Sequence, residues 1–180
     1  MVELITPTMR LHTAWLDAHY EWGPGTHEDG FGLDASDEID SPPGFKAWLT
    51  LLAQQADPAR ERHSTCRWIV EDDRVLGGIA LRHGYNDVTM QLGHIGYGIR
   101  PSSRRRGVGT WALGQMLDVA AKSGMDRVLL VCETDNTASI KTIENNDGVL
   151  EAIRETEDGP TRRYWIDLDR RHPATSLTAP

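Results

Sequence analysis

The segment "GYGIRPSSRRRGVGTWALGQM", residues 96–116, is the most informative part of the sequence. It starts as a strand-like stretch, passes through three arginines, and continues into a helix-like stretch at about residues 107–122. Glycines at positions 107 and 109 would let backbone N–H groups approach a phosphate, because no Cβ atom stands in the way. Helix N-termini attract anions, and arginines 104–106 add positive charge. The segment therefore predicts a phosphate-binding loop, with an exposed basic turn as the alternative.

Two nucleotide-binding folds are alternatives for this loop, and the sequence disfavours both. Gly107-x-Gly109-x-x-Ala112 has the glycine spacing of the dinucleotide-binding fingerprint, and Glu133 follows at a tolerable distance. However, "RPSSRRR" separates the strand from the first glycine, and only 47 residues follow Glu133. The loop also lacks the Lys-Ser/Thr ending of a P-loop.

Composition narrows the class of protein. A length of 180 residues suits one domain, and 39% hydrophobic and 26% charged residues are ordinary for a globular protein. The net charge of −8 argues against nonspecific binding to nucleic acid or to an anionic membrane. No apolar run reaches membrane length and no signal-peptide pattern is present, so we expect a cytoplasmic protein. Cys66 and Cys132 match no zinc or redox spacing, and no metal is expected.

The order of predicted elements indicates an α/β fold with a mixed sheet. Residues 1–63 are irregular, with two short helices at "HTAWLDAHYEW" and "GFKAWLTLLAQQA". From residue 66 onward, apolar runs predict a hairpin that turns at residues 72–74 and a third strand at "MQLGHIGYGIR". The helix at 107–122, a buried strand "RVLLVCE", a helix in "DNTASIKTIENN" and a closing hairpin follow.

Two motifs together resemble the GNAT family of N-acetyltransferases. "IRPSSRRRGVGTWALGQML" is similar to the family's acetyl-CoA motif, with Arg104, Gly107 and Gly109 at the motif positions. "VCETDNTASIKTIENNDGVLE" is similar to its second motif, with Asn136 and Ser139 in place. "GHIGYGIRP" and "ENNDGVLE" look especially like a bacterial subgroup of acetyltransferases of undefined substrate. The resemblance covers about residues 66–168.

The resemblance implies a mixed, mostly antiparallel, splayed central sheet flanked by helices. It implies one domain at 1–170, with an acceptor-side region at 1–63, an acetyl-CoA-binding core at 66–168 and a loose tail at 171–180. Backbone amides of the glycine loop would hold the coenzyme A pyrophosphate, and the main chain of the preceding strand would pair with the pantetheine arm. The implied acetyl-CoA-binding residues are Tyr97, Gly98, Ile99, Arg104, Arg105, Arg106, Gly107, Val108, Gly109, Thr110, Asn136 and Ser139.

Amine acetylation requires a group that removes a proton from the amine and a proton for the departing thiolate. His94 and Glu133 are the candidate bases; a hydrogen-bonded strand histidine and a helix-capping glutamate are the alternatives. Family members often carry a tyrosine acid seven residues after the helix-starting asparagine, but Ile143 stands there. The acid therefore stays open among Tyr97, Tyr164 and water.

The implied acceptor is a small-molecule primary amine. Residues 20–48 are acidic and aromatic, which suits a cationic amine, with a solvated acidic loop as the alternative. His83, Asn86 and Asp87 lie on a turn that the acceptor could also reach. A protein amine as acceptor and a non-catalytic acyl-CoA-binding module are the other hypotheses, and a homodimer is a further open expectation. The acidic and aromatic residues are Glu28, Asp29, Asp34, Asp37, Glu38, Asp40, Tyr20, Trp22, Phe31, Phe45 and Trp48.

Overall fold

The computed structural model describes residues 1–24, 27, 29–34 and 36–169. Within these residues the strands are β1 (Val2–Ile5), β2 (Ser64–Glu71), β3 (Arg74–Arg82), β4 (Ile95–Ile99), β5 (Arg127–Glu133), β6 (Val149–Thr156) and β7 (Gly159–Asp167). The helices are α1 (His12–Tyr20), α2 (Pro42–Gln55), α3 (Asp87–Leu92), α4 (Val108–Lys122) and α5 (Thr137–Glu144). The predicted tail at 171–180 and Glu28 lie outside the described residues. No described helix is long and apolar enough to cross a membrane.

The strands form two antiparallel sheets that touch at one point. Their orders are β1-β2-β3-β4 and β5-β7-β6. Gly93, just before β4, forms a bridge with Leu130 of β5. A Cβ atom on Gly93 would lie 3.0 Å from the Leu129 carbonyl oxygen, so glycine permits this close approach. Past the bridge, β4 and β5 are in separate sheets, which confirms the predicted α/β fold with a splayed, mostly antiparallel sheet flanked by helices.

Helices cover both faces of the first sheet. On one face, the buried residues of α4 recur every three or four positions, as expected for one side of a helix. They join a core shared by β3, β4, β5 and β7. On the other face, α1 and α2 build a second core rich in aromatic rings, including Trp15, Trp48 and Trp68. The buried residues of α4 are Val108, Ala112, Leu113, Met116, Leu117 and Ala120.

The sequence missed two short elements. Residues 90–92, predicted as strand, belong to α3, because Asn86 caps that helix by accepting hydrogen bonds from the Val88 and Thr89 N–H groups. Gly93, with φ of 85°, ends the helix and lets β4 begin at Ile95. The strand β1 pairs with β2 in the region that the sequence left irregular. A four-residue strand at the start of the chain carries too short a pattern to be recognised.

Candidate active site

The loop between β4 and α4 brings unpaired main-chain donors to the start of a long helix. Pro101–Ser103 form a 3-10 turn, and α4 begins at Val108 without a side-chain cap. The structure records no hydrogen bond from the N–H groups of residues 105–110 to another described residue. The first turn of a helix carries partial positive charge, and α4 is 15 residues long. The geometry therefore fits a bound phosphate or pyrophosphate.

Gly107 and Gly109 play different parts in this loop. Gly107 has φ of 76°, and a Cβ atom there would find no atom within 4 Å. Space in front of the helix start is therefore open. A Cβ atom on Gly109 would lie 3.6 Å from Ile99 and 3.8 Å from Thr142, so this glycine fits between β4 and α5. The backbone geometry is therefore compatible with the predicted phosphate cradle, whose role in binding stays a prediction.

The three consecutive arginines have different surroundings. The Arg104 Nε donates to the Ile99 carbonyl at 2.9 Å, and its guanidinium lies 4.7 Å from the centre of the Trp22 ring. The Arg106 Nη2 forms an ion pair with Glu71 at 2.7 Å. The Arg105 side chain forms no ion pair or hydrogen bond with another described residue, and its φ is 59°. Of the three predicted phosphate-binding side chains, Arg105 is the one without a protein partner in the described part of the chain.

The edge of β4 that faces away from β3 is directed toward the split in the sheet. Arg100 donates its N–H to Leu76, and His94 accepts from the Arg82 N–H, so even-numbered residues of β4 bond to β3. Alternation then directs the main-chain groups of Tyr97 and Ile99 to the other edge. Gly98, predicted with them, bonds toward β3. An extended ligand could pair with this edge as an added strand does.

The start of α5 meets β4 across the split. Asn136 caps α5, since its side-chain oxygen accepts from the Ser139 N–H at 3.0 Å. The Tyr97 hydroxyl donates to the Ser139 Oγ at 3.3 Å. At the far end of the same helix, the buried Asn146 donates to the Thr110 carbonyl at 3.1 Å and so ties α5 to the first turn of α4. Residues from both predicted motifs therefore lie together.

His94 is fully buried and fastens β4 to β5. The ring Nδ1 of His94 accepts from the Leu129 N–H at 2.9 Å. The backbone N–H of His94 donates to the Leu129 carbonyl at 2.7 Å. Burial lowers the pKa of His94, which keeps the ring neutral. Because Nδ1 already accepts a hydrogen bond, its lone pair is not available to a substrate proton. The geometry favours the structural alternative, and a role as general base stays a prediction.

Glu133 lies at the exposed end of β5, where the two sheets diverge. Its backbone carbonyl accepts from the Asn136 N–H at 3.2 Å. The side chain that caps α5 is Asn136 itself, so Glu133 does not serve as the side-chain cap that the sequence left open. An exposed carboxylate at this point can meet a ligand that enters the split.

Of the two tyrosines considered as the general acid, Tyr97 is the more accessible from the split. Ile143, at the usual tyrosine position, is buried in the core with 1% exposure. Tyr164 is equally buried and donates to Glu144 at 3.1 Å. Burial raises the pKa of Tyr164. Tyr97 lies at the split and its hydroxyl is half-buried beside Ser139.

The predicted aromatic rim on the acceptor side needs correction. Phe31, Phe45 and Trp48 are buried in the second core, because α1 and α2 pack these rings against the sheet. Tyr20 remains exposed and donates a hydrogen bond to Asp40. Acidic side chains therefore outnumber aromatic ones on this surface.

Residues 29–31 cross the first sheet directly over β3 and β4. A Cβ atom on Gly30 would lie 2.8 Å from the Gly98 backbone nitrogen, so backbone packs on backbone here. The neighbouring Asp29 is buried, with Oδ2 3.7 Å from the His19 Nδ1. Burial raises the pKa of Asp29, although a hydrogen bond from the Phe31 N–H and the nearby His19 oppose the shift. The crossing thus places a buried carboxylate beside His19 of α1.

The sequence missed an ion-pair network that joins the acceptor side to the glycine loop. The Arg100 guanidinium is 3% exposed and pairs with Asp17, at 2.7 Å, and with Glu21. Glu21 also accepts hydrogen bonds from the N–H and hydroxyl of Ser102. Partial burial raises the pKa of Glu21, but the hydrogen bonds from Ser102 and Arg100 outweigh it and hold the pKa below its usual value. Partners about 80 positions apart leave no local sequence signal.

No group of three or more histidine, cysteine, aspartate or glutamate side chains in the described ranges could hold a metal ion. The geometry thus consists of main-chain donors, a strand edge and a few polar side chains.

Comparison with solved structures finds the same fold in several acetyltransferases. RimL, a ribosomal-protein alpha-N-acetyltransferase in complex with coenzyme A, has a TM-score of 0.70 and 15% identity, over 93% of this chain and 94% of that chain. RimJ of Mycobacterium smegmatis, in complex with CoA-disulfide, has a TM-score of 0.68 and 18% identity, over 96% and 88%. The microcin self-immunity acetyltransferase MccE, in complex with acetyl-CoA and AMP, has a TM-score of 0.67 and 13% identity, over 92% of each chain.

No curated protein gives a significant sequence match to the chain. The sequence model of the Acetyltransferase (GNAT) family, in contrast, matches residues 16–147. That range contains both motifs, the splayed strands β4 and β5, and the ion-pair network of Arg100. The chain belongs to the GNAT acetyltransferase family.

Proposed function

We propose that the protein transfers the acetyl group of acetyl-CoA directly to the primary amine of a small, cationic molecule. Family membership makes the chain an acetyltransferase with acetyl-CoA as its co-substrate. The observation that carries the proposal is the uncapped start of α4 behind Gly107, adjacent to the outward edge of β4. Neither Cys66 nor Cys132 forms a disulfide within the described residues, which suits the reducing cytoplasm as the location.

The residues present fit coenzyme A. The N–H groups of residues 105–110 would hold the pyrophosphate, and Arg105 would add charge near the phosphates. The main-chain groups of Tyr97 and Ile99 would pair with the pantetheine arm, and Asn136 and Ser139 would contact it from α5. When bound, acetyl-CoA supplies an acetyl group that is activated as a thioester.

The chain's own residues would move two protons. The amine nitrogen forms a bond to the acetyl carbon while the carbon–sulfur bond breaks. The amine gives up one proton, and the departing sulfur takes one up. Glu133 is exposed at the split and is the better placed of the two predicted bases. His94 is buried and its ring is bonded to Leu129 of β5. The Tyr97 hydroxyl, beside Ser139, is the proposed proton donor.

Acidic side chains on the acceptor side support a cationic amine. Asp29 is buried beside His19, next to Gly30, whose backbone packs on β3 and β4, and Asp34, Asp37 and Asp40 follow in the same segment. Carboxylates attract an ammonium group and orient it before it loses its proton. Asp17 and Glu21 contribute less, because Arg100 neutralises them.

A protein amine is the second candidate acceptor. RimL, which shares the fold, is described as acting on a ribosomal protein, whereas MccE confers immunity to microcin. A third hypothesis, an acyl-CoA-binding module without turnover, gains some support from the buried Ile143 at the usual tyrosine position.

Thiol release from acetyl-CoA tests the three hypotheses together. The purified protein is offered a panel of polyamines, amino acids and aminoglycoside-like amines, and in parallel a set of peptides with free N-termini. Release that depends on a small cationic amine supports the proposal. Release with peptides alone selects the protein acceptor, and coenzyme A binding without release from any amine selects the module.

A further inference from the structure

A second concave site lies at the end of the first sheet opposite the glycine loop. The cavity has a volume of about 320 Å³ and is bordered by the end of α2, the start of β2, the end of β3 and the first turn of α3. β3 pairs with β4 here through Arg82 and His94, whereas the glycine loop follows the other end of β4. Five strand residues separate the two ends, or about 17 Å. The cavity is therefore distinct from the proposed acetyl-CoA site.

Basic side chains dominate its lining. No carboxylate is among the lining residues, although the whole chain has a net charge of −8. None of the three arginines of the cavity forms an ion pair with another described residue. The Arg82 Nη1 donates to the Gly93 carbonyl at 3.3 Å, which holds its guanidinium beside the cavity. The basic residues are Arg60, Arg62, His63, Arg82 and His83.

Two histidine rings are stacked within this basic cluster. The centres of the His63 and His83 rings are 4.2 Å apart, with 15° between their planes. His83 is 8% exposed, and its Nε2 contacts the Thr65 hydroxyl at 2.9 Å. Burial, together with His63 and His94, lowers the pKa of His83 to about 4. His83 is therefore neutral near neutral pH, and the arginines supply the permanent positive charge of the cavity.

The charged groups around the histidines come from each neighbouring element. His94 lies just before β4 and Arg82 on β3. Asp87 begins α3, and Asp57 and Glu61 flank the arginines before β2. The Asp57 carboxylate already accepts from the Ala59 N–H at 2.9 Å. The last turn of α2 carries glutamines 54 and 55 and no charge. Because no ion pair joins these carboxylates to the arginines of the cavity among the described residues, the cluster stays basic.

We infer that this cavity binds a small anion that carries several carboxylate or phosphate oxygens. Guanidinium groups bind both kinds of oxygen in pairs, and neighbouring arginines and histidines suit a polyvalent anion better than a single charge. The volume is at the lower end of ligand cavities, which favours a compact ligand.

Calorimetric titration with citrate and with inorganic phosphate, at constant ionic strength, tests the inference and distinguishes the two anion types. The titration uses the Gly107→Glu variant, in which the glycine loop is blocked. We expect saturable binding at about pH 7, where the arginines are fully charged. The double variant R60Q/R62Q should bind roughly tenfold more weakly, because two guanidinium partners are lost.

The double variant R154Q/K122Q removes the same charge elsewhere and should bind as the parent protein does. Both arginines of the cavity variant are exposed, so its melting temperature should match that of the control. In histidine NMR spectra, the anion should shift the ring signals of His63 and His83 and leave those of the exposed His27 unchanged. Absence of saturable binding, equal weakening in both double variants, or shifts that spare His63 and His83 would overturn the inference.

Discussion

The glycine loop at residues 104–110 and a segment on the predicted acceptor side, formed by Asp17, Glu21 and residues 29–31, both border β4, but different chemical groups form them. The loop offers main-chain N–H groups around an open space. The acceptor-side segment offers side chains such as Asp29 and His19, half-buried or buried by the packing of α1 over the sheet. Main-chain donors suit a cofactor that many related enzymes share, while side chains can be adapted to one acceptor.

The two regions are joined. Arg100, directly after β4, forms ion pairs with Asp17 and Glu21. Glu21 also accepts a hydrogen bond from the Ser102 N–H at the start of the loop. Arg104 extends over Trp22. The donor and acceptor sides therefore share contacts that variants can separate.

The largest effect on activity is expected from Glu133, at the exposed end of β5 where the two sheets diverge. Glu133→Gln keeps the size of the side chain and removes the base, so kcat should fall by about a hundredfold or more with acetyl-CoA binding unchanged. Glu157→Gln, an equally exposed carboxylate in the β6–β7 turn, is the matched control. Full activity of Glu133→Gln would assign the proton to another group or to water.

The next largest effect tests whether the two regions are coupled. Glu21→Ala leaves the buried Arg100 with only the exposed Asp17 and frees Ser102, so the free energy of unfolding should fall by about 2–4 kcal/mol. Asp17→Ala should cost about 1 kcal/mol or less, because its carboxylate is largely in water. Urea unfolding of both variants measures the difference. Equal losses would show that Glu21 has no special part.

The sequence indicates the glycine loop, whose binding role stays a prediction, more clearly than the burial and ion pairs of the acceptor-side segment, for a physical reason. A phosphate loop made of main-chain groups requires glycines at fixed positions, and Gly107 and Gly109 are visible in one short segment. Asp29 and Arg100 acquire their surroundings only when distant segments pack, and Phe31 looks the same in sequence whether it lines a site or a core. His94 was visible as a residue, but its bond to Leu129 was not.

The dependence of stability on pH is a smaller effect and arises from a buried side chain, His83. Because the pKa of His83 is lowered to about 4 in the folded protein, the unfolded chain binds more protons between about pH 6.5 and pH 4. Stability should therefore decline as the pH falls through this window, by about 1–2 kcal/mol at pH 5 from His83. His83→Asn should flatten this slope in urea unfolding, while His27→Asn should not. An unchanged slope in His83→Asn would contradict the assignment.

The smallest effect concerns the contact of Trp22 with Arg104. Exposed cation–π contacts contribute about 0.5–1 kcal/mol, so Trp22→Ala should weaken coenzyme A binding by only about two- to fivefold. Trp22→Phe keeps an aromatic ring and should recover most of the loss. A much larger loss in both variants would mean that Trp22 contacts the ligand directly.

We propose that the backbone around Gly107 holds coenzyme A. Calorimetric titration of coenzyme A into three proteins tests this proposal directly. Gly107→Glu places a negative side chain in the open space at the start of α4. Gly124→Glu adds the same charge just past the other end of that helix, at a glycine with similar φ, 81°, and equally open surroundings. We predict that the native protein and Gly124→Glu bind with similar affinity, and that Gly107→Glu binds about a hundredfold more weakly or not at all. Equal binding by all three proteins, or equal loss in both variants, would contradict the account.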